Sequence, residues 1–131
     1  MIRRVIELAT RPGNFYSLTR KVEEIVRECG MLHGLCVLFP PSTTSFILLQ
    51  EDCELLKEDL KEVFEKIAPK NKTYAHPDNA YSHILASLFG GERIIPVING
   101  KLALGTWQEI LLYEADVRPR KRRIEVILLP L

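Results

Sequence analysis

Cysteine, tryptophan and long apolar segments are scarce in this sequence, and neither sign of charge predominates. Its 131 residues contain three cysteines and one tryptophan, and 18 Lys and Arg face 17 Asp and Glu. An odd number of cysteines with no close pair argues against a disulfide framework and a zinc ribbon. A net charge of +1 provides no overall field for nucleic acid or an anionic membrane, and no apolar run approaches the roughly 20 residues that cross a bilayer. We therefore expect a cytoplasmic protein without a membrane partner.

What the sequence does contain is an ordinary globular balance, with 47% hydrophobic and 27% charged residues. A chain of this length buries roughly two-thirds of the surface that its unfolded state exposes, which is enough for one core but not for two. No internal repeat or low-complexity linker divides the chain. We therefore predict one domain spanning residues 1–131.

Hydrophobic periodicity and turn signals predict strands and helices in an order that ends in strands. Strands are expected at residues 2–9, 35–39, 46–49, 94–98, 102–104, 107–114 and 122–129. Helices are expected at residues 19–29, 52–68 and 79–89, with Thr19 and Asn79 as N-terminal caps. Asn99-Gly100 between two apolar runs predicts a two-residue hairpin. Because the last third has strands without intervening helices, we predict an α+β domain with a mixed, largely antiparallel sheet and helices packed against it.

Two histidines, His76 and His83, lie seven residues apart, with Asp78 and Asn79 between them. Imidazole is a common metal ligand and a natural proton carrier, so such a pair fits a metal or catalytic site. Histidines on helices are more often solvated or bonded within a structural network, and this alternative has the higher prior. Spacing alone does not decide between the two interpretations.

Polar side chains also lie at both ends of the strand predicted at residues 46–49. Ser42, Thr43 and Thr44 supply three consecutive hydroxyls before it, which fits a phosphate site, although such runs more often satisfy their own backbone in a turn. Glu51 follows the strand, where a carboxylate either faces a cleft or occupies the first turn of the next helix. The residues alone leave these alternatives open.

The C-terminal third carries an aromatic cluster and a basic one. Thr106, Trp107 and Gln108 follow a glycine and fit the wall of a ligand site, although a single tryptophan more often anchors a core. Five cations fall within six positions, namely Arg118, Arg120, Lys121, Arg122 and Arg123. They indicate phosphate or nucleic-acid contacts, but nearby carboxylates favour a salt-bridged strand start or a subunit contact. Because the overall charge is balanced, nucleic-acid binding is the least favoured function.

Four segments of the chain together resemble a known family. They are PPSTTSFILLQED, YAHPDNAYSHILASLFGG, IIPVINGKLALGTWQEI and EADVRPRKRR, and they are similar, in this order, to the motifs of the YjbQ-like family, also called the secondary thiamine-phosphate synthase family. The resemblance implies a single α+β domain that assembles as a homotrimer with clefts near its subunit boundaries. It further implies either a transferase that joins a pyrimidine diphosphate to a thiazole phosphate, or a trimeric metal- or small-ligand-binding protein without turnover.

The same resemblance assigns roles to individual residues. His76 and His83 match two of the family's three motif histidines, and Glu51 matches an acidic residue that follows the strand. Ser42 stands where the family has its third histidine, so the implied zinc or magnesium site is incomplete. Under the transferase hypothesis, Glu51, His76 and His83 serve as metal ligands or proton-transfer groups. A small phosphorylated ligand would be contacted by Ser42, Thr43, Thr44, Asn79, Thr106, Trp107, Gln108, Arg118 and Arg120.

Overall fold

Eight strands and three helices make up the computed structural model, which describes residues 1–131. In chain order the strands are β1 (Ile2–Thr10), β2 (Phe15–Ser17), β3 (Gly34–Phe39), β4 (Ser45–Gln50), β5 (Arg93–Ile98), β6 (Lys101–Leu102), β7 (Glu109–Glu114) and β8 (Arg120–Pro130). The helices are α1 (Thr19–Cys29), α2 (Glu54–Ile67) and α3 (Ala80–Phe89). Each predicted helix and strand is present, and β2 is an additional three-residue strand. None of the helices is long and apolar enough to cross a membrane.

The strands form two sheets. A large sheet has the strand order β1-β8-β3-β5-β6, and a small sheet has the order β2-β7-β4. All neighbouring strands are antiparallel. The predicted α+β class is therefore confirmed. The division into two sheets was not predicted, because periodicity identifies strands but not their partners.

The main hydrophobic core lies between the two sheets. Ile124 and Leu128 of β8 belong to one buried cluster with Leu112 of β7. The inner face of α1 contributes Val22 and Val26 to the same cluster. Burying such side chains removes apolar surface from water, which is the main favourable contribution to folding.

The other face of the small sheet is covered by α2 and α3. Phe46 of β4 and Tyr113 of β7 pack there against Phe64 of α2 and Leu85 of α3. Side chains alternate along each strand, so the residues that precede Phe46 and Tyr113 or follow them face the main core instead. The small sheet is therefore buried on both faces, and polar groups on it need partners within the protein.

The predicted hairpin is present between β5 and β6. Ile98 pairs with Lys101, and the two central residues, Asn99 and Gly100, have positive φ angles of 53° and 77°. These are the conformations that a type I′ turn requires, and asparagine and glycine adopt them at the lowest cost.

The strand predicted at residues 107–114 begins only at Glu109. A turn precedes it, in which the backbone N–H of Gln108 donates to the carbonyl of Gly105 at 3.1 Å. The side-chain oxygen Oε1 of Gln108 accepts the N–H of Gly105 at 2.8 Å. Because this turn uses the backbone groups that a ladder would need, Trp107 lies in a loop.

Neither residue predicted as a helix cap makes a capping hydrogen bond. The N-cap of α1 is Leu18 rather than Thr19, and Asn79 occupies the N-cap position of α3 without a side-chain cap bond. The Thr19 hydroxyl instead accepts the N–H of Ile110 at 2.9 Å, and the Asn79 amide donates to Asp116 at 3.0 Å. The prediction for Thr19 was therefore wrong, whereas Asn79 is the N-cap residue of α3 as predicted; partners in the rest of the fold occupy both side chains.

One face of the large sheet has no helix or sheet packed on it. Exposed and half-buried apolar side chains project from its central strands, and we call this surface the open face: Leu35, Val37, Phe39, Ile94, Pro96, Ile98, Ile127 and Leu129. They alternate with core residues such as Cys36 and Leu38. The side chains of Ile94 and Ile98 are 52% and 53% exposed. A contiguous apolar surface of this kind is characteristic of an interaction site.

Candidate functional site

A polar cleft of about 820 Å³ opens at one end of the two-sheet sandwich. The connection between β3 and β4, the start of α3 and the segment joining β7 to β8 meet there. Its lining residues are Phe39, Pro40, Pro41, Ser42, Thr43, Thr44, Asn79, His83, Gly91, Asp116, Arg120, Lys121 and Arg122. The structure therefore brings together six residues proposed from the sequence as ligand contacts or catalytic groups: Ser42, Thr43, Thr44, Asn79, His83 and Arg120.

A buried ion pair between Arg122 and Glu114 supports the cleft from below. Nε of Arg122 donates to Oε1 of Glu114 at 2.6 Å, and Nη2 donates to Oε2, so the pair is bidentate. Glu114 is 0% exposed and the Arg122 side chain is 12% exposed. In such surroundings each charge depends on the other for its solvation.

The same ion pair fixes the hydroxyls of the cleft wall. Arg122 also donates to Ser42 Oγ at 2.9 Å and to Thr44 Oγ1 at 2.8 Å. The hydroxyl of Thr10, at the end of β1, donates to Oε1 of Glu114 at 2.6 Å. One network thus joins β1, β7, β8 and the connection before β4. The Ser42 and Thr44 hydroxyls are structural partners of Arg122 in this network.

A second buried carboxylate, Asp116, has donors on several sides. It accepts hydrogen bonds from Asn79 at 3.0 Å and from Thr44 at 3.0 Å. The Val117 N–H and Arg120 Nε donate to it at 2.7 Å and 2.9 Å. Burial alone would raise the pKa of Asp116, but these four donors outweigh it and hold the pKa well below its usual range. Asp116 is therefore a fixed negative charge beside the cleft.

Removing that charge is expected to destabilise the fold in a pH-dependent way. We expect Asp116→Asn to lower the free energy of unfolding by about 1 to 3 kcal/mol near neutral pH, because hydrogen bonds to a charged group are lost. A carboxyl whose folded-state pKa is below the unfolded value of about 3.9 stabilises the fold above that pH. This contribution is lost as the pH falls toward the folded-state pKa.

Urea unfolding of both proteins at about pH 7, about pH 4 and about pH 3 measures this effect. The difference between wild type and Asp116→Asn should shrink on acidification. A difference that stays constant from neutral to acidic pH would contradict the role of Asp116 as a stabilising anion.

The two histidines of interest are neighbours in space. The ring centroids of His76 and His83 lie 4.7 Å apart; His83 lines the cleft and His76 is exposed beside it. No group of three or more His, Cys, Asp or Glu side chains is placed to hold a metal ion. The side chains of one chain therefore do not supply the three or four protein ligands that are typical of a zinc site. The divalent metal stays a prediction, and we assign no chemical step to it.

The arginines proposed as anion clamps already have carboxylate partners. Arg118 Nη2 lies 2.8 Å from Asp78, and Arg120 Nη2 lies 2.9 Å from Asp116. Arg118 is 58% exposed and is not among the residues lining the cleft. The Arg120 side chain is 40% exposed and does line it. Of the two, only Arg120 is placed to contact a ligand in the cleft of its own chain.

The remaining predicted site residues lie at the opposite end of the small sheet. Glu51 directly follows β4, and Gln50 pairs with Glu109, which places the Thr106–Gln108 turn near Glu51. Ser42 and Thr44 precede β4, so the six-residue strand separates the two groups by roughly 20 Å. Trp107 is 72% exposed and does not anchor the core. Within one chain, Glu51, Thr106, Trp107 and Gln108 therefore lie outside the polar cleft.

From the sequence, Glu114 and Asp116 were interpreted only as carboxylates beside the basic cluster that favour a salt-bridged strand start, and Thr10 was not singled out. A signal for Glu114 exists, because Ile110, Leu112 and Glu114 alternate along β7 and the first two face the main core. An acidic residue on the buried side of such a strand indicates a buried partner of opposite charge. Arg122, which was interpreted as part of a salt-bridged strand start, is that partner.

Sequence comparison with known proteins finds matches to one family along nearly the whole chain. The family model described as "UPF0047 protein YjbQ-like" matches residues 4–130. A UPF0047 protein of Archaeoglobus fulgidus is 41% identical over 124 residues, which cover 92% of this chain and 98% of that protein. A UPF0047 protein of Methanothermobacter thermautotrophicus is 38% identical over 120 residues, covering 89% of this chain and 83% of that protein.

Solved structures show the same similarity in three dimensions. A hypothetical protein from Aeropyrum pernix K1 superposes with a TM-score of 0.94 at 32% identity and 100% coverage of both chains. A YbjQ-like protein of unknown function from Sulfolobus solfataricus P2 superposes with a TM-score of 0.90 at 30% identity and 99% coverage of both chains.

Proposed function

The chain belongs to the YjbQ-like UPF0047 family, and from this premise we propose that its polar cleft binds a small phosphorylated organic molecule. The observation that supports this proposal is the set of polar groups left over at the cleft surface. The Thr43 hydroxyl and the His83 ring make no hydrogen bond within the chain, and the Arg120 guanidinium is partly exposed. Hydroxyl, imidazole and guanidinium are groups that donate to phosphate oxygens. The cleft volume of about 820 Å³ also lies in the range of small-molecule sites.

The charges beneath the cleft nearly cancel, so an anion must be attracted by the groups that have no partner within the chain. Glu114 and Asp116 balance Arg120 and Arg122, so the network by itself offers an anion little net attraction. An incoming phosphate therefore depends on Lys121, which lines the cleft and forms no salt bridge, on the exposed part of Arg120 and on the His83 ring. The fixed Arg122 network holds the wall in one geometry, so little ordering is needed when a ligand binds.

The reaction that we propose for this site joins a pyrimidine diphosphate to a thiazole phosphate and releases pyrophosphate. His83 would donate a hydrogen bond or a proton to the departing pyrophosphate, and Arg120 would offset its charge. The alternative is a binding protein without turnover. Two features favour that alternative: Ser42 in place of a histidine, and the absence of a third metal-ligating side chain beside His76 and His83.

We also propose that the chain works as a homotrimer. The open face supports self-association, because an apolar surface of this extent is stabilised when a second copy covers it. Self-association would also resolve the separation of the predicted site residues. Glu51, Trp107 and Gln108 lie too far from the polar cleft of their own chain to contact a ligand there. The same three residues of a neighbouring copy could instead reach this cleft across the subunit interface.

Calorimetric titration with the thiazole phosphate tests the binding proposal. We expect saturable binding to the wild-type protein and an affinity at least about tenfold weaker for Arg120→Gln, because a charge-assisted hydrogen bond is lost. Arg20→Gln, an exposed arginine on α1 outside the cleft, is the matched control and should leave the affinity unchanged. Equal affinities for Arg120→Gln and wild type would remove the phosphate site from this cleft.

An assay of pyrophosphate release distinguishes the transferase hypothesis from the hypothesis of a binding protein without turnover. With both substrates present, an enzyme should release pyrophosphate at a rate that falls about 100-fold or more in His83→Ala, the usual effect of removing an acid–base group. Binding without any pyrophosphate release, with and without added zinc or magnesium, would favour the protein without turnover. Loss of binding in His83→Ala would instead identify His83 as a ligand contact.

A further inference from the structure

A second, smaller cavity lies on the other side of α3 and shares no lining residue with the polar cleft. Its volume is about 170 Å³, well below the roughly 300 to 1,000 Å³ of sites for drug-sized ligands. The turn between β1 and β2, the end of β7, α2 and α3 enclose it. Among the side chains that line it are Lys61, Phe64, Glu65, Lys70, Tyr81 and Tyr113.

Tyr113 projects an unused hydroxyl into this cavity. The residue is 5% exposed, and its ring is held by aromatic neighbours, with centroids 4.6 Å from Phe15 and 5.0 Å from Phe64. The hydroxyl has no hydrogen-bond partner in the chain, yet no side-chain polar atom is both sealed from solvent and unpaired. The Tyr113 hydroxyl is therefore open to the cavity. A nearly buried donor without a partner is costly unless a group in the cavity accepts a hydrogen bond from it.

Tyr81 lines the same cavity from α3, and its phenol is also unpaired. Burial raises the pKa of Tyr81, with further contributions from Asp116 and Glu65. Burial, followed by the neighbouring Tyr81, raises the pKa of Tyr113 to about 12. Both phenols therefore keep their protons at physiological pH, and they can act as hydrogen-bond donors.

Two lysines and Glu65 are the charged residues that line the cavity, and the carboxylates of Asp116 and Asp78 act on Tyr81 from beyond the lining. Lys70 Nζ lies 5.6 Å from the centre of the Tyr81 ring, and Lys61 Nζ lies 5.9 Å from that of Phe15. Neither lysine forms a salt bridge in the structure, and Glu65 is the only carboxylate side chain among the lining residues. Two lysines and two tyrosines thus line the cavity together with Glu65, Asn14 and apolar side chains such as Phe64 and Leu85.

We propose that this cavity binds a small organic carboxylate. The carboxylate would accept hydrogen bonds from the Tyr113 and Tyr81 hydroxyls and take its charge balance from Lys61 and Lys70. Its apolar body would contact Phe64 and the neighbouring aliphatic side chains of α2 and α3. The site is independent of the proposed function, because none of its residues lines the polar cleft.

Titration calorimetry of the full chain with benzoate tests the proposal, with benzamide as its uncharged analogue. We expect saturable benzoate binding and an affinity for benzamide at least about tenfold weaker, since hydrogen bonds to a charged acceptor are the stronger ones. Tyr113→Phe keeps the ring in its aromatic cluster and removes only the hydroxyl, and it should weaken benzoate binding about tenfold or more. Tyr16→Phe is the matched control, because the Tyr16 hydroxyl accepts the Arg11 N–H outside this cavity.

Near-ultraviolet circular dichroism establishes that the Tyr113→Phe protein is folded. If it is not, Lys70→Gln takes its place, because this lysine is exposed, and it should weaken benzoate binding about fivefold. The proposal is overturned if wild-type protein shows no saturable benzoate binding, if benzamide binds as tightly as benzoate, or if neither variant differs from Tyr16→Phe.

Discussion

Glu114→Gln is expected to lower the free energy of unfolding by about 3 to 5 kcal/mol, which is a large part of the stability of a domain this size. Glu114 is 0% exposed and holds the Arg122 guanidinium through two hydrogen bonds. A glutamine keeps the shape of the side chain but removes the charge, so the buried Arg122 guanidinium loses its bidentate partner and keeps only the more distant Asp116 carboxylate, 3.9 Å away. The Thr10 hydroxyl also loses its charged acceptor.

Urea unfolding measures the loss, and Glu125→Gln provides a comparison within the same fold. Glu125 also pairs with an arginine across neighbouring strands, but its partner Arg3 is 53% exposed, so water replaces the lost contact and the effect should be far smaller. Replacing both buried charges, as in Glu114→Leu with Arg122→Met, should restore part of the stability, because no unpaired charge remains. Equal losses for Glu114→Gln and Glu125→Gln would refute the structural role of the buried pair.

The local elements of the fold were predictable because their signals are local. The amphipathic spacing of α2 and the positive φ angles that Asn99-Gly100 accepts depend only on neighbouring residues. The three residues of β2 carry no such signal, since they form a strand only by pairing with β7. The assignment of strands to two sheets is equally non-local, because β4 pairs with β7 although residues 51–108 lie between them.

The residues of the candidate site also differ in how far the sequence predicted them. Ser42, Asn79 and His83 could be proposed from the sequence, and they do meet in one cleft. Glu51 was grouped with them by resemblance, but it follows the far end of β4. Because a strand is extended, its two ends are well separated, and Glu51 cannot reach the cleft that lies at the other end. Glu114 was interpreted only as one of the carboxylates near the basic cluster, because its complete burial depends on strand pairing that the sequence does not show.

If the proposed homotrimer forms through the open face, Val37→Lys is expected to convert it into a folded monomer. Val37 is half-buried at the centre of the open face, where it lies between Ile127 of β8 and Ile94 of β5. A lysine there leaves the core intact, because its stem lies along the apolar surface and its ammonium group reaches water. In an assembled interface the same ammonium would be buried without a partner, which disfavours association by several kcal/mol.

Light scattering coupled to size-exclusion chromatography decides the matter. Wild-type protein should elute with three times the 15.0 kDa mass of the chain, and Val37→Lys with the mass of a single chain. Val63→Lys makes the same substitution at a residue of α2 that is 48% exposed and outside the open face, and it should remain assembled. A wild-type mass equal to that of a single chain would contradict the proposed trimer. Dissociation by Val63→Lys but not by Val37→Lys would move the interface to α2. If the trimer brings Trp107 of one copy to the polar cleft of the next, the ligand affinity of that cleft should also fall in Val37→Lys. The urea concentration at which Val37→Lys unfolds should nevertheless equal that of the wild type, because the fold of the single chain is unchanged.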